Sequence, residues 1–416
     1  MSKIVFFGIP GLGHIYPATP ILAELVRRGH EVTAFNAAEF ERAVRLSGAH
    51  FAAYPPALTG RTFADAVRTA DFIVLLEMLL RSAAPILDSA LDRLGQSKPD
   101  LVMFDGLAVW GEMAASKLQL PSVSISASYI FDPAVGRKYP REFWKTMRSM
   151  VRLLPQLNRD WLRLMRFGFK ALPRRLPVLP RPGTLTIMLA SKALHPKTAK
   201  FDDPRYVFVG PSIDEASRWT PFDFSLFDGR PLVVVSLGSV FANNHRFFKG
   251  AIGALSSLNV QLLVVAGEAA DELGSLNIPE NCLIVGSIPQ LEVLPRASVF
   301  VMHGGVGSTH EALLSGVPLV AVPQMMEQLV TANGVAEAGA ATVLDEECFG
   351  GEVTAPELRR AVELILADNY YRQRAIAIGE ELRQTGGWLE AANRIEGVLL
   401  GVGPHRALDH QAAVAD

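Results

Sequence analysis

A stretch near residue 300 combines a histidine with the features of an anion-binding turn. A short apolar run at 299–302, typical of a buried strand, is followed at once by His303 and then by three glycines within four residues. Ser308 and Glu311 have the spacing of a helix capping box, so a helix is predicted to begin here. Backbone N–H groups at a helix start, with little side-chain bulk before them, favour binding of a phosphate group. The alternative is an ordinary strand–helix unit in which both residues only cap the helix.

The whole stretch from 299 to 328 resembles the nucleotide-sugar signature of family-one glycosyltransferases, which have the GT-B fold and use UDP-sugars. The residues that match this signature are His303, Gly305, Ser308, Glu311, Gly316, Val317, Pro318, Pro323, Glu327 and Gln328. The bacterial branch of macrolide glucosyltransferases is the most similar, because it too has the patterns His-Gly-Gly-x-Gly-Ser and Pro-Gln-x-x-Glu-Gln. Gly304 and Gly307 depart from the plant form, which has cysteine and asparagine at these positions.

A second candidate for chemistry is His14, which follows a predicted first strand at 3–8. Ligands bind at the carboxyl ends of strands in open parallel sheets, and a neutral imidazole is suited to take a proton near pH 7. The alternative is a polar residue that only flanks a helix, which is predicted to begin at Pro17. The segment 13–17, Gly-His-Ile-Tyr-Pro, resembles the G-H-x-x-P loop of the same enzyme family. That match implies that His14 is the catalytic base.

Asp105 ends a later apolar strand, predicted at 100–104. A lone aspartate at a strand end is usually a turn or cap residue. A histidine base, however, needs a carboxylate on its other ring nitrogen to fix the tautomer and to stabilise the imidazolium. We therefore expect Asp105 at the same edge of the sheet as His14, and it also resembles the aspartate of the family's catalytic dyad.

The resemblance further implies where the donor binds. The turn at 236–239 is similar to the family's small-residue turn near the phosphates, and Ile288-Pro289-Gln290 is similar to its loop along the uracil. The residues expected to bind the donor are Gly13, Ser236, Gly238, Ser239, Ile288, Gln290, His303, Gly305, Gly307, Ser308, Thr309, Glu311, Gln324, Glu327 and Gln328. The last three offer a carboxylate and two amides, which suit a hexose with free hydroxyls, so the expected donor is UDP-glucose.

The expected reaction is inverting transfer of that hexose to a hydroxyl of a small, largely apolar acceptor, such as a phenol, a macrolide or a sterol. No Asp-x-Asp sequence occurs in the chain, so we expect no metal on the diphosphate and no cofactor besides the UDP-sugar co-substrate. The candidate acceptor-lining residues are Trp110, Phe131 and Phe143, each of which is equally typical of a protein core. Two other functions stay open at this point: a nucleotide-sugar-binding protein without catalysis, and a UDP-sugar epimerase.

Alternating strand and helix patterns predict an α/β fold with two Rossmann-like doubly wound domains facing a cleft. The expected domains are 1–210, which binds the acceptor, and 231–385, which binds the nucleotide sugar, with a linker at 211–230. By the family resemblance, 386–416 holds a helix that crosses back to the first domain. A chain of 416 residues is also too long for one ordinary core.

Composition and charge exclude several classes of protein. A net charge of −2 argues against a nucleic-acid-binding protein, and 49% hydrophobic residues indicate a well-buried globular fold. Two cysteines give no disulfide framework and suit a reducing cytosol. Because the first strand begins at Lys3 and no apolar run approaches ~20 residues, we expect a cytoplasmic protein with neither signal peptide nor membrane span.

Residues 141–170 are predicted to form two amphipathic basic helices, separated at Pro155. Between residues 137 and 175 there are 12 lysines and arginines against two acids. The expected buried stripe consists of Phe143, Met147, Met150, Val151 and Leu154. In the simpler interpretation the basic residues are a solvated face over that stripe. The alternative is a surface for an acidic acceptor or for a membrane that holds the acceptor.

Overall fold

The chain divides into two α/β units. The structure is a computed structural model that describes residues 1–129, 140–167, 185–196, 202–214, 221–275, 277–344 and 353–401, with side chains at 140–143 outside that set. The first unit comprises Met1–Lys192, Lys197–Ile213 and Gly386–Asp416, and the second comprises Ala193–Pro196 and Asp214–Thr385. Among the described residues, no helix is both long and apolar enough to cross a bilayer.

The first unit contains a parallel sheet of seven strands. These are β1 Lys3–Phe7, β2 Glu31–Asn36, β3 His50–Ala53, β4 Leu101–Asp105, β5 Ser122–Ser126, β6 Leu185–Met188 and β7 Tyr206–Phe208, in the order β3-β2-β1-β4-β5-β6-β7. Its helices are α1 Leu12–Arg27, α2 Glu41–Leu46, α3 Gly60–Arg68, α4 Phe72–Ser97, α5 Val109–Leu118, α6 Pro140–Met165 and, from the end of the chain, α14 Gly387–Leu399. The strand order reverses direction between β1 and β4, which is where open parallel sheets bind ligands.

The second unit contains a parallel sheet of six strands. These are β8 Leu232–Ser236, β9 Gln261–Val265, β10 Cys282–Val285, β11 Ala297–Met302, β12 Leu319–Ala321 and β13 Ala341–Val343, in the order β10-β9-β8-β11-β12-β13. Its helices are α7 His245–Leu255, α8 Ala270–Gly274, α9 Gln290–Val293, α10 Val306–Leu314, α11 Met326–Glu337, α12 Ala355–Ala367 and α13 Asn369–Arg383. Short 3₁₀ turns occur at Ala38–Phe40, Phe224–Leu226, Gly267–Ala269 and Leu294–Arg296.

Each sheet has a hydrophobic core on both faces, which confirms the predicted doubly wound α/β fold. The strands are apolar on both sides because helices cover both faces; β4, for example, is buried throughout. Phe7 at the end of β1 pairs in register with Phe104 of β4, so the carboxyl ends of these two strands are adjacent. Any side chain that follows β1 therefore lies near one that ends β4.

The first helix begins earlier than the sequence predicted. It starts at Leu12 rather than Pro17, and both Pro17 and Pro20 lie inside it. Proline in a helix removes one N–H donor, but here Thr19 Oγ1 donates to the Tyr16 carbonyl that Pro20 leaves without its helical partner, at 3.1 Å. Burial of most of the helix outweighs the missing bonds, so the predicted loop containing His14 is instead the first helical turn.

The basic segment is one helix, α6, rather than two. Pro155 lies within it, and residues 168–170 are outside the described set. α6 packs along α4 through Leu157, Trp161 and Leu164. Val151 and Leu154, expected in the buried stripe, are exposed. Met150, also predicted in that stripe, does pack against the core. The prediction failed for Val151 and Leu154 because the apolar arc of α6 is wider than the part that packing against α4 buries.

The last helix, α14, packs against α1 within the first unit. An ionic network joins them: Arg28 Nε donates to the buried Glu24 at 2.7 Å, and Arg28 Nη1 donates to Glu396 at 2.6 Å. Two hydrogen bonds from Arg27, together with the one from Arg28, lower the pKa of Glu24 to about 2. Helix α14 is thereby fastened to the helix that carries His14.

Part of the stretch expected to be a linker belongs to the second unit. Phe222, Phe224 and Phe227 form an aromatic cluster that packs against one core of the second sheet. Gln261 at the start of β9 holds this segment, since its Nε2 donates to the Leu226 carbonyl at 2.7 Å. Three phenylalanines without helical or strand periodicity supply this packing, which a search for periodicity overlooks.

Candidate active site

His14 and Asp105 form a hydrogen-bonded pair in the first unit. His14 lies in the first turn of α1, just after β1, and Asp105 ends the neighbouring strand β4. Their Nδ1 and Oδ2 atoms are 2.8 Å apart, and the other carboxylate oxygen accepts from the Leu107 amide at 2.9 Å. The aspartate side chain is 8% exposed and that of His14 is 25% exposed. Asp105 therefore holds the His14 ring through Nδ1, which fixes the orientation of the imidazole.

A buried aromatic pair supports the strand end that precedes His14. The Tyr54 hydroxyl donates to the Gly8 carbonyl at 2.8 Å, and Trp110 Nε1 donates to that hydroxyl at 3.0 Å. Burial raises the pKa of Tyr54 well above its usual value, so this hydroxyl keeps its proton. Trp110 is fully buried, which contradicts its expected place on an acceptor surface. Its hydrophobic ring and single N–H are both satisfied inside the core.

The other two candidate acceptor residues lie outside the described part of the structure. Phe131 falls in the segment 130–139, and the side chain of Phe143 is among those not described. The structure therefore leaves both as expectations.

Phe63 of α3 is a neighbour of His14 that the sequence did not reveal. The two rings are T-shaped, with centroids 5.5 Å apart and planes at 88°. Gly11 lies against both: a Cβ atom there would be 2.9 Å from Phe63 Cε1 and 3.4 Å from His14 Cδ2. Nothing in the spacing of Phe63, far from both His14 and Asp105 along the chain, marks it as part of this site.

His303 lies in the second unit, immediately after β11. Burial lowers its pKa to about 4, so the imidazole is neutral at pH 7. Its Nδ1 is buried and has no hydrogen-bond partner among the described residues. Two glycines enclose the ring, since a Cβ at Gly238 would be 2.6 Å from Cε1 and one at Gly305 would be 2.5 Å from Nε2. A buried polar atom without a protein partner is a position where a ligand or a water can supply the missing hydrogen bond.

Helix α10 begins beside this ring, but not through the predicted capping box. Its N-cap is Gly305, and Ser308 is already the third helical residue. Glu311 is instead a buried residue whose Oε2 accepts from Gln290 Nε2 at 2.6 Å. Gly305, which combines extended backbone with no side chain, takes the place that Ser308 was expected to fill.

The free backbone donors of α10 are shifted by one residue from those expected. The Thr309 amide donates to the Gly305 carbonyl at 2.9 Å, and its side chain lies in the core near Met302. The first three helical residues, 306–308, therefore present the N–H groups that have no partner within the helix. They include Gly307 and Ser308, as predicted, and Val306 in place of Thr309.

Three further predicted donor residues of the second unit, Ser236, Gly238 and Ser239, lie at the carboxyl end of β8 and in the turn that follows it. Ser236 ends β8 and its Oγ accepts from the Gly238 amide at 3.2 Å, with Ser239 exposed beyond it. Gly238 has φ +71°, a left-handed conformation that favours glycine. Ile288 packs against the core, just before Gln290. Gly13 lies in the first unit, exposed and next to His14.

Two glutamines hold the loop that follows β12. Gln328 Oε1 accepts from the Gln324 amide at 2.8 Å, and Gln324 Nε2 donates to the Val322 carbonyl at 2.9 Å. Each side chain thus uses one end of its amide to fix the loop. Glu327 lies in the first turn of α11, half-buried.

The comparisons with known proteins agree with this architecture. Residues 251–397 match the family described as erythromycin biosynthesis protein CIII-like, C-terminal domain. The chain is 31% identical to the NDP-glycosyltransferase YjiC of Bacillus subtilis, over 95% of this chain and 97% of that protein. It is 32% identical to the demethyllactenocin mycarosyltransferase of Streptomyces fradiae, over 96% of this chain and 87% of that protein.

The chain also resembles solved structures of glycosyltransferases. The glycotransferase of kitacinnamycin superposes with a TM-score of 0.79 at 27% identity, over 95% of this chain and 98% of that one. CalG4, the calicheamicin glycosyltransferase, superposes with a TM-score of 0.75 at 27% identity, over 97% of this chain and 100% of that one. Fold and site together therefore define a glycosyltransferase of the GT-B type. Within that class, the chain belongs to the family-one glycosyltransferases of bacteria that act on natural products.

Proposed function

We propose that this enzyme transfers glucose from UDP-glucose to a hydroxyl group of a small apolar acceptor, with inversion at the anomeric carbon. The observation that carries the proposal is the His14–Asp105 pair, 2.8 Å between Nδ1 and Oδ2, at the point where the strand order of the first sheet reverses. The base and the carboxylate that orients it have the geometry of general-base catalysis.

In the proposed reaction the acceptor oxygen attacks the anomeric carbon of the sugar while His14 Nε2 takes its proton. The bond between that carbon and the diphosphate oxygen breaks, and UDP leaves with the electron pair. Attack opposite to the leaving group inverts the anomeric centre. Asp105 stabilises the imidazolium that forms, because its carboxylate oxygen already lies against Nδ1.

The departing diphosphate gains negative charge, and the second unit supplies donors for it. The N–H groups of 306–308 point out of the start of α10, where the helix dipole is positive. His303 adds a neutral N–H, since its pKa of about 4 leaves it uncharged near pH 7. Because these donors can stabilise the diphosphate, we propose that the reaction needs no metal ion. The test is turnover in the presence of EDTA, which should be unaffected.

The choice of glucose rests on the loop after β12, and the choice of UDP rests on the resemblance of 288–290 and 299–328 to the family's nucleotide-sugar signature. Glu327 offers a carboxylate, and Gln324 Oε1 and Gln328 Nε2 are the amide ends not used to fix the loop. Together they can accept from and donate to vicinal hydroxyls, and a deoxysugar would leave some of them unpaired, at about 1–3 kcal/mol each. The names of the relatives point to more than one sugar: YjiC is an NDP-glycosyltransferase, and another relative is a mycarosyltransferase.

The experiment compares kcat/KM for UDP-glucose, UDP-galactose, UDP-N-acetylglucosamine and dTDP-rhamnose with a single acceptor. We expect UDP-glucose to be the best donor, and Glu327→Ala to lower turnover with it far more than it lowers affinity for UDP alone. A dTDP-deoxysugar as best donor, or a silent Glu327→Ala, overturns the donor assignment. Conversion of UDP-sugar without any acceptor would instead favour an epimerase.

The acceptor is proposed only as a class, a natural product with a free hydroxyl on a largely apolar framework. Such compounds partition into lipid, so we include peripheral contact with a membrane in the proposal. The basic residues of α6 support it, because cationic helices are attracted to anionic lipid.

A further inference from the structure

The solvent-facing side of α6 has a distinct apolar sector. Its residues are Trp144, Val151, Leu154, Leu162 and Met165. Each is between 42% and 75% exposed. On a helix of 3.6 residues per turn, these positions fall within a strip about 80° wide that runs along most of the 26-residue helix. The strip adjoins the apolar face that packs on α4, because Leu154 and the buried Trp161 lie about 20° apart around the helix. Its side chains are nevertheless exposed to solvent.

A row of arginines lies beside the apolar sector. Arg148, Arg152, Arg159 and Arg163 fall within the adjoining strip, about 60° wide. Arg159 and Arg163 pair with Asp160, which is itself buried, while Arg148 and Arg152 have no ion-pair partner in the described part of the chain. Across the described side chains of α6, from 144 to 165, Asp160 is the only acid. The surface of the helix is therefore cationic although the chain as a whole has a net charge of −2.

We infer that these two sectors, which we call the α6 face, bind the surface of a bilayer containing anionic lipid. A helix lying in the membrane interface needs exposed apolar groups to enter the acyl boundary and cations to meet the lipid phosphates. The α6 face presents both, side by side, on a helix anchored to the protein through α4. Arginine suits the second role because its guanidinium pairs with phosphate oxygens through two hydrogen bonds.

The charge of the α6 face favours a bilayer over two other partners, a second copy of the chain and an acidic protein. A second copy of the chain would bring two arginine rows together at a symmetric interface, which is repulsive. An acidic protein would neutralise the arginines, but its negative charge would not account for the exposed apolar strip beside them. The inference rests on the proposed function only in explaining what membrane binding is for, namely access to an acceptor dissolved in lipid. The binding itself does not depend on the reaction.

The experiment is co-sedimentation of the full chain with vesicles of phosphatidylcholine alone or mixed with phosphatidylglycerol, at low and at high salt. We expect binding to the anionic vesicles at low salt, weakened at least 10-fold by high salt and by Arg148→Gln with Arg152→Gln. Val151→Ser with Leu162→Ser should also weaken it at least 10-fold. The control, Leu46→Ser with Leu364→Ser, removes two apolar side chains elsewhere that are 69% and 48% exposed, and it should bind like the unmodified chain.

Three results would overturn the inference: no binding to anionic vesicles at low salt, equal binding to neutral vesicles, or binding unchanged in both α6 variants. A dimer that dissociates in the Val151/Leu162 variant, measured by sedimentation velocity, would assign the face to a second copy instead. Transfer to a water-soluble acceptor should persist in all of these variants. The unmodified enzyme could bind anionic vesicles and yet transfer no sugar to any acceptor. That result would refute the proposed function but would leave the inference about the α6 face intact.

Discussion

The change Gly305→Ala should weaken UDP binding. It tests the role of His303 indirectly, because it leaves every side chain proposed to bind UDP chemically unchanged. Gly305 has φ −65° and ψ 139°, a conformation that alanine adopts readily, so backbone strain is absent. The new Cβ would lie 2.5 Å from His303 Nε2, whereas ordinary contacts begin near 3.4 Å. The imidazole must therefore move by about 0.9 Å, which is enough to break a hydrogen bond of normal length.

Loss of one hydrogen bond to a charged phosphate is worth about 1.5–3 kcal/mol, so the Kd for UDP should rise about 10- to 150-fold. Overpacking around a buried ring should also lower the free energy of unfolding, by about 1–3 kcal/mol. Isothermal titration calorimetry well below the melting temperature measures the first effect, and chemical denaturation the second.

The control is Gly253→Ala on α7, where a Cβ meets nothing within 4 Å and where alanine favours the helix. It should leave both the Kd for UDP and the stability at or above their original values. An unchanged Kd in a folded Gly305→Ala variant would show that His303 is not a ligand of the diphosphate, and the donor site would then need to be sought elsewhere.

Three further predictions concern charge. Asp105→Asn should lower kcat about 100-fold or more with little change in Kd for UDP, because an amide no longer stabilises the His14 imidazolium; near-normal kcat would contradict the dyad. The unfolded chain binds a proton on His303 near pH 6.5 and the folded chain only near 4, so the contribution of His303 to stability should fall by about 3 kcal/mol as pH drops through that window. Burial also lowers the pKa of His310 to about 4, so both histidines contribute to the fall in stability over this window. His303→Ala should therefore make the slope measured in urea melts about half as steep. An unchanged slope would refute the burial of the His303 ring. Glu24→Gln should lower the free energy of unfolding by about 1–3 kcal/mol at pH 7, because it releases Arg28. Since the pKa of Glu24 is lowered from 4.5 to about 2, that deficit should shrink as pH falls below 4.5, and a constant deficit would contradict it.

The pairing of His14 with Asp105 could be foreseen because it depends on topology. Two apolar strands early in an alternating pattern are neighbours in a doubly wound sheet, and their carboxyl ends share an edge. The helix around His14 could not be foreseen in the same way. Two prolines argue for a loop, and only the side-chain bond from Thr19 and the burial of the helix reverse that preference.

Packing partners explain the other failures. The pattern of α6 shows that it is amphipathic, but which part of its apolar arc is buried depends on α4, which the sequence of α6 does not contain. Ser308 and Glu311 have the spacing of a cap, yet Gly305 caps the helix and Gln290 binds Glu311. Phe63 touches His14 from a helix with no motif of its own. Each of these depends on residues distant in sequence.

The most direct test of the account is transfer itself, followed by mass spectrometry with UDP-glucose and a mixed panel of alcohol, phenol, macrolide and sterol acceptors. We predict products heavier by one hexose from the unmodified enzyme. With an alcohol acceptor His14→Ala should give none, while its Kd for UDP, measured by calorimetry, stays nearly the same. An alcohol is chosen because an acidic phenol needs less help to lose its proton. Near-normal transfer by His14→Ala to that alcohol would contradict the assignment of His14 as the base.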